Sequence, residues 1–266
     1  MGVVRSLSFS RRRNKGGKSK SAAPSMPDDD TEDRTEPANS EEGGSGGDPE
    51  GDYMVPDGPL QPLGSKVLKK HHNTMKGWGS RYLELEDAIG VMYVFDSEKD
   101  QQRRTPKHVY VCADMKSANK AKNSAANYCF EITFRSPEDW PNLFYSCESK
   151  KYQEAWVNGL GQRIALGRSF GTRSMKLQVP SHNYELSRFG QFGVRVINWE
   201  GQPIGVAIDS LTEISPLAEA GLAPGDVIIA VNQDACLSHT HAVKLLEATK
   251  DDVELIVWQP PPMNYR

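Results

Sequence analysis

From residue 66 to residue 258 the apolar residues of this chain come in short runs, cut repeatedly by Gly, Pro, Asn and Asp. Such runs between turn formers are strand signals. Only two stretches, 151–165 and 239–249, keep a helical spacing for several turns. A chain punctuated in this way must bury its apolar side chains between antiparallel strands, with a helix or two as cover. The expected fold class is therefore α+β and rich in β-structure. At 266 residues there is room for one large domain or two small ones, on a prior of about 100–200 residues per domain.

The chain before this region cannot fold in that way. Residues 1–25 hold seven basic residues and no acidic one, and residues 26–52 hold eleven acidic residues against Arg34 alone. Segments so charged and so poor in aromatics cannot bury enough apolar surface to offset the entropy of ordering, so 1–52 reads as a disordered tail, basic and then acidic. The net charge of −3 is the cancellation of these unlike blocks. No nucleic-acid partner is expected.

The opening Met1-Gly2-Val3-Val4-Arg5-Ser6 fits the pattern for N-myristoylation of Gly2. One myristoyl chain binds bilayers only marginally, with a constant of roughly 10⁴ M⁻¹, so a second signal is needed. The basic cluster over 11–20 supplies one, because each Lys or Arg near an anionic leaflet contributes about 1 kcal/mol. Ser6, Ser8 and Ser10 lie among these charges, where phosphate would oppose the membrane. The competing reading is an ordinary solvated basic tail or a nuclear-localisation patch. Residues 43–47 match G-x-S-x-G, but a nucleophile elbow needs a strand before it and a helix after it; here the glycines make a linker.

Cys112, Cys129, Cys147 and Cys236 stand far apart, without zinc or redox spacing, and are expected to be free thiols in a reducing compartment. Neither a secretory signal nor an apolar run near the ~20 residues of a membrane span is expected. Membrane contact would be peripheral, at the inner face of a membrane, the plasma membrane first. No metal site, cofactor or catalytic constellation emerges, and enzyme activity is not expected.

Residues 60–167 carry strand signals at 66–70, 81–85, 90–95, 108–112, 128–134 and 143–147, then the helix over 151–165 with Ala155, Trp156, Leu160 and Ile164 as its apolar face. The stretch between 112 and 128 reads as a Lys/Asn/Ala-rich loop. Strands closed by one C-terminal helix make a small barrel or sandwich. The words Val67-Leu68-Lys69-Lys70 and Trp78-Gly79-Ser80-Arg81-Tyr82, with Trp156 in the final helix, resemble the pleckstrin homology (PH) fold. In inositide-binding members basic residues at the end of the first strand and in the second hold the lipid phosphates. That resemblance implies Lys70 and Arg81 as phosphate contacts, but Gly79 stands where a further basic residue belongs, so high-affinity binding is not implied. Lys69, Lys76 and the pair His71-His72 keep the neighbouring loop basic, enough for weak attraction to anionic lipid.

After a linker at 168–174, residues 175–260 show sharper signals, and a short tail at 261–266 follows. Residues 192–196 alternate as a strand, 205–208 resume as another, and 227–231 are a buried strand. Ser215-Pro216 opens a short helix that stops at Gly221, with Ser as N-cap and Pro at the first helical position. Ser238 can cap the helix over 239–249, whose apolar stripe is Ala242, Val243, Leu245 and Leu246. A last strand runs 253–258. The first strand is either 175–179 or 184–187.

The run ISPLAEAGLAPGDVIIAVN over 214–232 and Gln191-Phe192-Gly193-Val194 resemble a PDZ domain and its carboxylate-binding loop. The resemblance implies a site for C-terminal tails of other proteins. The N–H groups of Phe192, Gly193 and Val194 would hold the terminal carboxylate, and the ligand would add as a strand beside residues 194–197, Val196 among them. Phe192, Val194, Val243 and Leu246 would line the pocket for its last, apolar side chain. His239 stands where the family bonds a Ser or Thr hydroxyl, and Arg188 where a basic residue assists the carboxylate. Protein tails and anionic lipids are thus the expected partners of a membrane-associated adaptor. The alternatives are a soluble scaffold that never meets lipid and the regulatory part of a protease.

Overall fold

A computed structural model describes residues 64–70, 77–122, 126–178, 190–250 and 252–261. Tail 1–52 with Gly2, the loop with His71, His72 and Lys76, and the segment with Arg188 and the alternative strand 184–187 lie outside the described residues.

The first domain is a seven-stranded antiparallel barrel. Strands β1 (Gly64–Lys70), β2 (Trp78–Glu86), β3 (Val91–Phe95) and β4 (His108–Val111) form a meander, with a one-turn helix α1 (Glu98–Gln102) between β3 and β4. Strands β5 (Met115–Ala121), β6 (Cys129–Phe134) and β7 (Leu143–Ser146) follow, and β1 pairs with β7 to join the two halves. Helix α2 (Lys150–Leu166) then covers the core. Ser149 starts it by accepting from the Tyr152 N–H at 3.3 Å, the N-cap bond that satisfies an orphan donor. Trp156, Leu160 and Ile164 turn inward, and Trp156 stacks on Phe130 at 6.0 Å while its Nε1 donates to Ser65 Oγ at 2.8 Å. Ala155, expected on the same face, is exposed. Only residues three or four apart share a helix face, and the inward face holds Gly159 and Arg163 instead. Arg163, almost fully buried, is paired to Asp87 at 2.5 Å and donates to the Gly159 carbonyl.

Two elements depart from expectation. Strand β5 replaces the expected loop between 112 and 128. Its sequence is weakly strand-forming, but it pairs along its length with β6 and buries Met115 and Ala118. Helix α1 buries nothing and rests on its Ser97 cap, whose Oγ accepts from Asp100 N–H at 3.2 Å.

The second domain is a sheet in the order β8 (Thr172–Gln178), β13 (Asp252–Trp258), β11 (Val227–Val231), β10 (Val206–Leu211), β9 (Val194–Asn198), with β12 (Asp234–Ala235) paired to β11. Helices α3 (Pro216–Glu219) and α4 (His239–Ala248) complete it. The segment expected as a linker, 168–174, holds most of a 3-10 turn at Gly167–Phe170 and the first residues of β8. Phe192 and Gly193, expected to begin a strand, belong to a turn instead.

The two domains share a core. Strands β3 and β11 are buried along their whole lengths, on both faces. Met92 and Val94 enter the barrel, whereas Val91, Tyr93 and Phe95 join Val109 and Val111 in a cluster with Val227, Ile229, Ile204 and Ile256 of the second domain. Antiparallel sheets often leave one face to water; here each domain's outer face is the other's cover. Polar ties rim the seam. Thr172 donates to the Ile89 carbonyl, Trp258 Nε1 to that of Phe170 at 3.0 Å, and Ser174 to Asp114 at 2.5 Å. Gly90 is required at the seam: its φ is +63°, and a Cβ there would sit 2.4 Å from the Phe170 ring.

Candidate functional site: a peptide groove and a cationic mouth

Strand β9 ends the sheet, so one side of its backbone pairs with β10 and the other is free of any strand among the described residues. Helix α4 runs beside it. Ser238 positions that helix by accepting from the His241 N–H at 3.2 Å. Ala242 and Leu246 turn into the core, and Val243 remains exposed at the surface. Phe192, Val194 and Val196 are buried in the same cluster as Leu246. An apolar floor of Phe192, Val194, Val196 and Leu246 therefore lies between an open strand edge and a helix.

The loop before β9 is fastened from three sides. Gln191 Nε2 donates to the Leu246 carbonyl at 2.6 Å and to that of Thr249 at 3.2 Å, satisfying acceptors at the end of α4. Ser215, the N-cap of α3, donates its hydroxyl to the Phe192 carbonyl at 2.7 Å. The Gly193 carbonyl accepts from the Thr212 N–H at 2.9 Å. A trans peptide points its N–H opposite to its C=O, so the Val194 N–H is turned away from Thr212, toward the open side of β9. The Gly193 N–H donates to the Gly190 carbonyl at 3.2 Å, within the turn. Gly193 has φ +61°, a conformation glycine adopts at no steric cost. At the far end of β9, Asn198 Oδ1 accepts from the His239 N–H at 2.7 Å and lies 3.1 Å from its ring Nδ1.

A second constellation sits at the β1–β2 end of the barrel. Lys69 on β1 lies across from Gly79 on β2, so no side chain faces it there. Arg81 binds Asp96 at 3.1 Å, and Lys107 binds the same carboxylate at 2.9 Å. Two cations thus grip one anion, and Lys69 feels the same carboxylate. Burial lowers the Lys69 pKa, and the charges of Arg81 and Lys107 lower it further. His108 is lowered by burial and then by Lys69 and Lys107. Burial works against ionised Asp96, yet its bond to Lys107 and the charge of Arg81 hold its carboxyl below the usual range. Lys70 ends β1, with its side chain outside the described residues.

Sequence reasoning did not find Asp96, Lys107 and His108 at the mouth, nor Gln191, Ser215 and Asn198 as supports of the groove. Ser215 had a signal as a helix cap, but its second bond to Phe192 spans 23 residues. Asp96 and Lys107 are brought together by the pairing of β3 with β4.

A PH domain family model matches residues 62–165 and a PDZ domain model matches residues 208–259. No curated protein matches the chain. Solved structures resemble parts of it. The PH domain of human oxysterol binding protein-related protein 11 is 14% identical, with 47% of this chain and 90% of that one covered at a TM-score of 0.36. The carboxyl-terminal PH domain of pleckstrin is 16% identical, with 39% and 98% covered at 0.31. INAD PDZ3 in complex with a TRP channel tail is 24% identical, with 36% and 95% covered at 0.29. The chain carries a PH domain followed by a PDZ domain.

Proposed function

We propose that this protein is a non-enzymatic, membrane-associated adaptor whose PDZ domain captures the C-terminal tails of other proteins by strand addition. PH and PDZ domains are interaction modules, which supports an adaptor and assigns no reaction to the chain. The observation that carries the reading is the edge of β9 that no strand covers among the described residues, lying over an apolar floor and beginning at a loop whose Val194 N–H faces outward. A tail would pair with β9, place its carboxylate at the 192–194 amides and its last side chain against Phe192, Val194, Val243 and Leu246. The carboxylate would compete with the Gly190 carbonyl for the Gly193 N–H. Val196 would lie under the paired strand, His239 would meet a Ser or Thr hydroxyl, and Arg188 would stand beside the carboxylate.

The deciding experiment titrates full-length protein with tails ending Thr-Ala-Val, as free acids and as C-terminal amides. Binding of the acid and loss of binding in the amide supports the reading. Equal binding of both refutes capture through the carboxylate.

In the same proposal, acylated Gly2, the basic cluster over 11–20 and the cationic mouth at Lys69, Lys70, Lys76 and Arg81 hold the protein to the inner, anionic face of the plasma membrane from the cytoplasm. No helix among the described residues is long and apolar enough to cross a membrane. A specific observation favours a second reading, a cytosolic scaffold without lipid. Asp96 already neutralises part of the mouth, and Gly79 leaves the β2 position directly opposite Lys69 without a side chain. Sedimentation with phosphatidylserine vesicles separates the two.

A further inference from the structure

Asn198 is the last residue of β9, and it crosses to the first residue of α4. Its Oδ1 accepts from the His239 backbone N–H at 2.7 Å and lies 3.1 Å from the His239 ring Nδ1. Orientation of an asparagine amide is ordinarily open to a flip. Here the backbone N–H is only a donor, so the atom that meets it must be the amide oxygen. That oxygen only accepts, so the ring atom facing it must donate, and the proton sits on Nδ1. In a neutral imidazole the second nitrogen then keeps its lone pair. His239 Nε2 has no partner among the described residues, and the ring is exposed beside the end of β9.

We infer that Asn198 is a positioning residue that locks His239 in the Nδ1–H tautomer, so that the groove offers Nε2 as a hydrogen-bond acceptor. This rests on the peptide-binding reading above and sharpens it. An acceptor welcomes a ligand hydroxyl, which can donate, and turns away a carboxylate, which can only accept. The groove therefore selects Ser or Thr two residues before the ligand's end and discriminates against Asp or Glu there. A hydroxyl can also accept, so it would bond to either tautomer. The lock's own signature is the exclusion of the carboxylate, not the preference for a hydroxyl over an apolar side chain. The same contact also satisfies the N–H at the first position of α4, an orphan donor of the helix end, and so ties the two walls of the groove together.

Two measurements on the full-length protein in mildly alkaline buffer decide the matter. Long-range 1H–15N correlation spectra of the histidine rings report which nitrogen of His239 carries the proton. Wild type should show Nδ1–H. Asn198→Asp keeps an acceptor in place and should retain it, whereas Asn198→Leu should revert toward the Nε2–H form that free imidazole side chains favour. A wild-type ring protonated mainly on Nε2, or a spectrum unmoved by Asn198→Leu, overturns the lock. The second measurement uses tails ending Thr-Ala-Val, Val-Ala-Val and Asp-Ala-Val. In wild type the Thr tail should exceed the Asp tail by more than tenfold. Asn198→Leu should narrow that ratio about three- to tenfold, the range one hydrogen bond controls, while the Thr-to-Val ratio changes little. His239→Ala should instead remove the Thr-to-Val difference. An unchanged Thr-to-Asp ratio in Asn198→Leu overturns the selectivity. If no tail binds, peptide capture fails, and the spectra still decide whether Asn198 holds the ring.

Discussion

Ile229 offers a sharp test of the shared core. It lies on β11 of the PDZ domain, has 0% of its surface exposed, and belongs to the cluster that contains Tyr93, Phe95 and Val111 of the PH domain. If the domains were beads on a string, Ile229 would face water and truncation would change stability by less than about 0.5 kcal/mol, as at ordinary surface sites. Buried as found, Ile229→Ala removes packed methylenes and leaves a cavity, at a cost of about 2–5 kcal/mol. For a unit of this size each kcal/mol shifts Tm by about 2–4 °C, so the midpoint should fall by about 4–20 °C. Because the lost contacts reach across the seam, the PH domain should loosen too. Calorimetry of the full chain measures the midpoint, and hydrogen exchange read separately on β6 and β10 shows which domain opens. One transition moving as a whole, with faster exchange in β6 as well as β10, is the expected result. A separate PH transition that Ile229→Ala does not move would refute the shared core.

The cationic mouth, the buried thiols and the seam's carboxylates each give a further test. Asp96→Asn should free Arg81 and Lys107 and strengthen binding to anionic vesicles by up to about thirtyfold, at about 1 kcal/mol for each of the two cations released near the surface, with the gain lost in high salt. Burial pushes the thiols of Cys112, Cys147 and Cys236 up to about 12, so iodoacetamide at mildly alkaline pH should spare them in the folded protein and label them in denaturant. Burial also raises the Asp114 carboxyl, although Ser174 and Arg135 oppose it. The folded state then holds that proton to higher pH than the unfolded state, so folding is favoured below the unfolded value and loses stability as pH rises through the folded one. Asp114→Asn should accordingly raise Tm at neutral pH, by an amount that shrinks as the pH falls through the raised folded value and is gone below about pH 4, the unfolded carboxyl range.

Local patterns sufficed wherever an element's own side chains decide its fate. The run at 227–231 matches β11 residue for residue, because five consecutive apolar residues between turns have no favourable solvated arrangement. Ser215 and Ser238 mark the starts of α3 and α4, because an N-cap acts on amides two or three residues away. The glycine and proline punctuation of 214–232 was enough for the PDZ resemblance for the same local reason. Strand β5 was invisible, since its Lys, Asn and Ala residues become a strand only through pairing with β6. The mouth around Asp96 and the clasp between Asn198 and His239, 41 residues apart, likewise exist only after strands and helices have packed. The deepest gap was the seam. The run 91–95 is apolar throughout and read only as a strand, because a pattern of apolar residues carries no address for what covers them. Which surface closes over Val91, Tyr93 and Phe95 is decided by shape and contact between domains, where burial is rewarded without regard to separation along the chain.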